Sequence, residues 1–238
     1  MLQKLELYNA PLQEIQPSKK LINTINAHSY NTLRKDAIFR QALQASDMLL
    51  PDGISVVMAL RLLKGLNIKK IAGYDLFQYE MARVHQQSGK CFFLGSSEET
   101  LERIRKRALL DYPGLQVHTY SPPYKPIFND EDNRAMIEAV NAVVPDVLFV
   151  GMTAPKQEKW CYQFFKELQA GHICCIGAVF DFYAGTVKRA PSWMINIGLE
   201  WFYRLVREPR RMWRRYLIGN TEFVIGILKE KFSRSANL

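Results

Sequence analysis

Short apolar or β-branched runs alternate with longer helical patterns along most of this chain, and that alternation constrains the fold more than any other feature. Strands are expected at residues 21–25, 48–50, 91–94, 116–119, 147–150 and 173–177. Helices are expected between them at residues 54–63, 76–87, 98–110, 130–143 and 156–168, with Ser96 and Glu99 at capping-box spacing before one of them. This spacing predicts an α/β fold, a mostly parallel sheet with helices on both faces. Such sheets bind ligands beyond the carboxyl ends of their strands. Residues that carry chemistry should therefore lie in the loops that follow strands. At 238 residues the chain can bury a substantial core without disulfides or metal.

Several function classes are disfavoured at once. The longest nearly unbroken apolar run, residues 173–180, falls short of the ~20 residues of a spanning helix. The opening MLQKLELYNAPLQEIQPSKK has no apolar stretch of signal-peptide type, so export is not expected. The four cysteines (Cys91, Cys161, Cys174, Cys175) form no CxxC pair and read as buried, reduced thiols of a cytosolic protein. The four histidines form no HxxxH or HExxH pattern, so no metal site is expected from them. No GxGxxG or GxxxxGK[ST] occurs either.

Charge is unevenly spread. The net charge is +9, which suggests an anionic partner: nucleic acid, a membrane surface or phosphates. Between Lys188 and Arg215 stand eight basic residues opposed only by Glu200 and Glu208, together with Trp193, Trp201 and Trp213. This change of composition divides the chain near Thr186. Residues 1–186 read as a nearly balanced globular domain and residues 187–238 as a basic, Trp/Arg-rich helical appendage. At ~100° per residue, Arg204, Arg207, Arg211, Arg214 and Arg215 fall on one stripe, with Trp201, Phe202, Leu205 and Met212 on the adjoining face. Pro209 should split this stretch into two helical pieces. A basic amphipathic helix with tryptophan suits a membrane surface.

Four loops carry candidate chemistry. In Pro51-Asp52-Gly53, Asp52 sits at a strand end, with Gly53 permitting a tight turn; it is either a helix cap or a cleft carboxylate that accepts a proton. Thr24 and Asn26 end the first strand and either bond within the loop or face the same cleft. After Gly151, the run Thr153-Ala154-Pro155-Lys156-Gln157-Glu158 opens a helix. Pro155 fits its first turn, the backbone N–H groups offer a phosphate site, and Lys156 or Gln157 can add a side-chain contact. Asp181 follows Gly177 between aromatics and is either a turn residue or a partner for a cation or ligand hydroxyl. Asp130-Glu131-Asp132 matches a metal-binding DxD but follows Asn129 at a helix start, where acids complement the helix dipole.

These motifs carry a family likeness. The chain resembles the WecG/TagA/CpsF family of bacterial glycosyltransferases, family 26, from about Leu21 to about Tyr216. The likeness rests on Pro51-Asp52-Gly53, on Ala72-Gly73-Tyr74-Asp75-Leu76, and on Ala154-Pro155-Lys156-Gln157-Glu158. It also rests on the run from Val187-Lys188-Arg189-Ala190-Pro191 through Gly198-Leu199-Glu200-Trp201-Phe202-Tyr203-Arg204-Leu205. Ala178-Val179-Phe180 stands where many members have a further glycine.

The resemblance implies a Rossmann-like, inverting enzyme that works without metal or cofactor. It would move a sugar from a UDP-sugar to a polyprenyl-diphosphate-linked N-acetylhexosamine in bacterial surface polysaccharide or teichoic acid synthesis. N-acetylmannosamine or its uronic acid is the first expectation, and a glucose or glucuronate donor the alternative. Asp52 would be the base, with Thr24 near the donor sugar and Gln157 lining the pocket. Asn26, Gly53, Gly151, Lys156 and Asp181 are the other expected donor-side residues. Arg204, Arg207, Arg211, Arg214, Arg215 and Trp201 would meet the lipid diphosphate and the inner face of the cell membrane, where the enzyme would be peripheral. A homo-oligomer is allowed for. Nucleic acid is not an expected partner, because no recognised motif accompanies the charge. More remote readings are a membrane scaffold without activity and a nucleic-acid-binding protein.

Overall fold

The computed structural model describes residues 1–235. Six strands form one sheet: β1 (Lys20–Ile25), β2 (Met48–Pro51), β3 (Lys90–Gly95), β4 (Gln116–Tyr120), β5 (Val147–Gly151) and β6 (His172–Cys175). Their order is β2-β1-β6-β5-β3-β4, and every pairing is parallel. All six carboxyl ends therefore lie along one edge, which is the geometry of a Rossmann-like fold.

The period-2 alternation of the strands divides the core between the two faces of the sheet. Cys91 and Phe93 of β3, Val147 and Phe149 of β5 and Cys174 of β6 point one way, toward α4 (Gly73–Gln86), α5 (Glu98–Asp111) and α8 (Val179–Ala184). Phe92, Leu94, Leu148, Val150, Ile173 and Cys175 point the other way, toward α6 (Asp130–Val143) and α7 (Lys156–Phe164). All four cysteines are buried free thiols. A third cluster gathers α1 (Ala27–Lys35), α2 (Ala37–Gln44) and α3 (Ile54–Lys64) around Ile25 and Leu49.

The structure departs from the sequence expectations in several places. Helices α1 and α2, which were not foreseen, are started by short polar caps: Asn26 Oδ1 accepts from Ser29 N, and Asp36 Oδ1 accepts from Phe39 N. β6 stops at Cys175 because Ile176 N and Gly177 N both turn to Val150 O. The segment after Gly177, expected as a loop, is helix α8, which buries Val179, Phe180 and Tyr183. Helix α7 ends at Phe164 rather than 168. The cap of α5 is Ser97, whose hydroxyl accepts from Thr100 N, so the Ser96–Glu99 pairing does not form.

After Thr186 come α9 (Ser192–Asn196), α10 (Glu200–Arg207) and α11 (Pro209–Trp213). A π-helical turn at Arg214–Ile218 leads into α12 (Gly219–Ser235). Pro209 is the first residue of α11 and separates it from α10. Helix α12 packs back against α1 and α3. Its Phe223 packs edge-on against Tyr30 of α1 at 5.1 Å, Phe223 and Ile227 join the α1–α3 core, and Glu230 accepts from the Tyr30 hydroxyl at 2.6 Å. The same Glu230 carboxylate pairs with the chain's amino terminus. The two ends of the chain thus brace one another across α1.

A buried polar cluster ties α4 to β6. Glu80 accepts from His172 Nδ1 at 2.7 Å and from Arg83 at 2.7 and 2.9 Å, while His172 Nε2 faces Gln16 O at 3.1 Å. His172 is accounted for by the fold.

Candidate active site

The carboxyl edge of the sheet opens into one large cleft, roofed by α9–α11. Its floor starts with the β1–β2 pair. Thr24 lies opposite Leu50 and Ile25 opposite Pro51, and Asp52 N continues the ladder by donating to Ile25 O at 2.9 Å. The pleat puts Thr24, Asn26 and Asp52 on one side. Gly53 then turns at φ 125°, a conformation that side-chain-bearing residues rarely adopt, and α3 begins. Asp52 is therefore not the helix cap; its carboxylate stays in the cleft.

Asn26 performs two tasks. Its Oδ1 caps α1 through Ser29 N at 3.1 Å, and its side chain also hydrogen-bonds Asp52. With the oxygen engaged, the amide nitrogen is the group that donates to the carboxylate. Burial pushes the Asp52 carboxyl up to about 6. Glu200 and Asp75 push the same way, while Lys70 and the Asn26 hydrogen bond hold it down. A carboxylate tuned toward neutrality in a cleft is suited to accept a proton.

The second wall comes from β5 and α7. A Cβ on Gly151 would lie 2.7 Å from the Phe180 ring, so only glycine lets α8 approach β5 this closely. Gln157 is buried, accepts from Met152 N at 3.2 Å and donates Nε2 to Glu158 Oε1 at 2.9 Å. The other Glu158 oxygen is buried without a partner among the described residues, and burial pushes its carboxyl up to about 7. Pro155 caps α7 rather than occupying its first turn. The expected phosphate site at the start of α7 is not free, because Lys156 N and Gln157 N both donate to Thr153 O. The Lys156 ammonium is likewise engaged, donating to Lys125 O at 2.6 Å and lying 3.4 Å from the Phe128 ring centroid.

The roof supplies positive charge. Arg204, Arg211 and Arg215 line the cleft, as do Asp181 and Trp201. Burial holds the Arg215 guanidinium below its ordinary value, with Arg204 and Arg211 adding to the effect and Tyr216 and Asp52 opposing it. Nε of Arg204 and Nε of Arg215 are buried with no hydrogen-bond partner among the described residues. Buried, unsatisfied cationic donors are costly, and an anion between them would relieve that cost. Asp181 is raised by burial and pulled back by Arg211 and Arg204.

Two sequence expectations for the roof are corrected. The arginine stripe is split: Arg207 and Arg214 do not line the cleft but lie over Tyr203 and Trp213, at 5.5 and 5.2 Å from the ring centroids. Trp201 belongs to the cleft wall, beside Tyr216, whereas Trp193 and Trp213 are exposed.

Other cleft residues escaped sequence reasoning. His28 is pushed down to about 4 by burial, with Arg215 adding to the effect, and so offers a neutral imidazole. Lys70 and Glu200 reach Asp52 electrostatically from opposite sides of the charge balance. Arg189 stacks on Tyr74 at 4.2 Å and lies 3.7 Å from Glu200. Glu158, Arg189 and Glu200 stood inside recognised motifs, but nothing in their spacing pointed to the cleft. Asp132 closes a capping box with Asn129 and pairs with Lys125, a role for the DxD segment at a helix start.

The model of the Glycosyl transferase WecG/TagA/CpsF family matches residues 3–237, nearly the whole chain. This chain belongs to that family. It is similar to the N-acetylglucosaminyldiphosphoundecaprenol N-acetyl-beta-D-mannosaminyltransferase of Bacillus subtilis (strain 168), at 31% identity over 89% of this chain and 80% of the relative. An enzyme with the same name from Bacillus spizizenii is 34% identical over 81% of this chain and 72% of the relative. The WecG/TagA/CpsF fold here is thus a hexosyltransferase, with its cleft at the carboxyl edge of a parallel sheet.

Proposed function

We propose that this glycosyltransferase moves N-acetylmannosamine from its UDP-sugar to N-acetylglucosaminyl-diphosphoundecaprenol, with inversion at the anomeric carbon. The observation that carries the reading is the meeting of Asp52 with Arg204, Arg211 and Arg215 in one cleft, two of these arginines holding buried Nε–H groups without a partner among the described residues. The acceptor hydroxyl attacks the anomeric carbon from one face of the sugar. Asp52 takes the hydroxyl proton as the new bond forms. The bond to UDP breaks, and its electron pair goes to the β-phosphate oxygen. Arginine guanidiniums neutralise that developing charge with fixed donors, at no cost of reorganisation during the step.

Thr24 and Asn26 line the floor beside Asp52, Asn26 positioning its carboxylate. Gln157, locked by Met152 and Glu158, presents one face of its amide to the cleft from the opposite wall. Asp181 is suited to a sugar hydroxyl or to orienting Arg204 and Arg211. The enzyme works at the cytoplasmic face of the cell membrane. No helix among the described residues is long and apolar enough to span it. The exposed Trp193 and Trp213, with Arg207, Arg210 and Arg214, hold the appendage to an anionic leaflet.

Product analysis tests this reading, with a panel of UDP-sugars and a short-chain N-acetylglucosaminyl lipid diphosphate. Transfer of N-acetylmannosamine is expected, and Asp52→Asn should abolish it. Transfer from UDP-glucose or UDP-glucuronate, with none from UDP-N-acetylmannosamine, would move the enzyme to exopolysaccharide assembly with a different donor.

A further inference from the structure

Helix α3 is apolar around most of its girth, although it lies on the surface. Val56, Ala59, Leu60 and Leu63 are buried in the α1–α3 core. On another side Ile54, Met58 and Leu62 form an i, i+4, i+8 row, and all three are exposed, Met58 by 65%. Leu66, just past the Gly65 turn that ends α3, extends the row and is exposed as well. Only Ser55, Arg61 and Lys64 are polar within the helix. A helix apolar on nearly all sides belongs in a protein core or in lipid, and this one borders open solvent.

The surrounding charge indicates what covers the row. From Gly53 to Tyr74 the chain contains no acid, but it carries Arg61, Lys64, Lys69 and Lys70. Arg61, Lys64 and Lys69 are exposed. In a two-fold pairing of this face with a second copy, the same cations would confront themselves. An anionic lipid surface complements them instead, at ~1 kcal/mol per basic residue near the surface. The row also runs toward the appendage. A Cβ on Gly198, in the turn between α9 and α10, would lie 2.9 Å from Ile54 Cγ2, and the neighbouring Ile197 and Trp193 are exposed by 61% and 62%.

We infer that α3 is a second membrane-contacting element, which inserts Met58, Leu62 and Leu66 at the acyl boundary while Arg61, Lys64 and Lys69 meet anionic headgroups. The inference rests on the reading that the acceptor is lipid-linked. Helix α3 begins two residues after Asp52, so the bilayer would meet the cleft at its catalytic end. The appendage and α3 would then flank the opening through which a membrane-anchored diphosphate enters.

Vesicle sedimentation of the full-length protein tests it, using phosphatidylglycerol–phosphatidylcholine vesicles against phosphatidylcholine alone. The double variant Met58→Glu/Leu62→Glu should lower the partition coefficient on the mixed vesicles at least tenfold. Turnover on a soluble short-chain acceptor should stay within twofold of wild type, since neither residue lines the cleft. A fluorophore on Met58→Cys, selective because the native cysteines are buried, should shift to the blue on vesicle addition. That labelled variant carries no new charge and so tests the placement even if the double variant folds poorly. A double variant that binds vesicles like wild type, or a label that stays in water, overturns the inference and leaves the appendage reading intact. Conversion of a dimer to a monomer by the double variant, with vesicle binding retained, would assign α3 to self-association and overturn it as well. Wild type that ignores the mixed vesicles would overturn the inference together with the appendage's membrane role, while the product assay still judged the chemistry.

Discussion

Asn26 holds the Asp52 carboxylate with the same side chain whose oxygen caps helix α1 at Ser29 N. The first helix and the proposed base are thus oriented by a single residue at the end of β1. Asn26→Ala should cost about 1 kcal/mol of stability through the lost cap. Losing the hydrogen bond should also raise the acid-side inflection of kcat/KM. An unchanged inflection with lowered stability would leave Asn26 a cap and nothing more.

If Asp52 must be ionised to accept a proton, kcat/KM should fall about tenfold per pH unit below an inflection near 6, the position to which burial raises this carboxyl. Asp52→Asn should cut turnover by ~10²-fold or more and retain UDP binding. Its stability has a sign of its own. The folded value lies above the unfolded one, so ionising Asp52 costs stability as pH rises between them. Wild type and variant should melt close together near pH 4, with the variant the more stable above pH 7 by up to about 3 kcal/mol. Thermal melts at both pH values check this.

Glu158 makes a parallel case without the chemistry. Its carboxyl is raised to about 7 by burial, and one of its oxygens lacks a partner among the described residues. Glu158→Gln keeps the acceptor for Gln157 Nε2. The variant should match wild-type stability at pH 4 and exceed it at pH 8, because only the wild type must then ionise a buried group. Equal melting curves at pH 8 would show that water reaches the carboxylate.

The arginines should separate into two groups. Lysine keeps the charge but loses the planar fork that grips a diphosphate. Arg204→Lys, Arg211→Lys and Arg215→Lys should each lower turnover on a soluble acceptor, by tenfold or more at one position at least. Arg207→Lys and Arg214→Lys, outside the cleft, should leave it unchanged. Equal behaviour of all five would remove the diphosphate role from the roof.

Gly151→Ala should destabilise the protein by roughly 1–3 kcal/mol, because a methyl group would meet the Phe180 ring. Moving Phe180 shifts α8, and Asp181 with it, so turnover should fall beyond what the lost stability explains. A variant melting like wild type would show that α8 yields at little cost.

Local chemistry made much of this protein legible from its residues alone. The apolar runs at β3, β5 and β6, the helical periods at α5 and α6 and the polar loops after strands all act over a few residues, and their partners could be anticipated from spacing. Asp52 was readable for that reason: a strand, a turn glycine and a helix start leave its carboxylate at the sheet's edge. The caps at Asn26 and Asp36, which start α1 and α2, are equally local. The arrangement of the arginines was decided elsewhere. A constant ~100° per residue puts Arg204, Arg207, Arg211, Arg214 and Arg215 on one stripe. Pro209 breaks that helix between Arg207 and Arg211, and the π-helical turn at Arg214–Ile218 winds more residues into each turn, so the phase changes at those two points, while Arg204 and Arg207 share α10. Arg215 thereby turns into the cleft and Arg214 away from it. Glu158 and His28 owe their shifted protonation to burial, with the sequence-distant Arg215 adding to the effect on His28. Such electrostatics exist only after the chain has folded and removed the water around them.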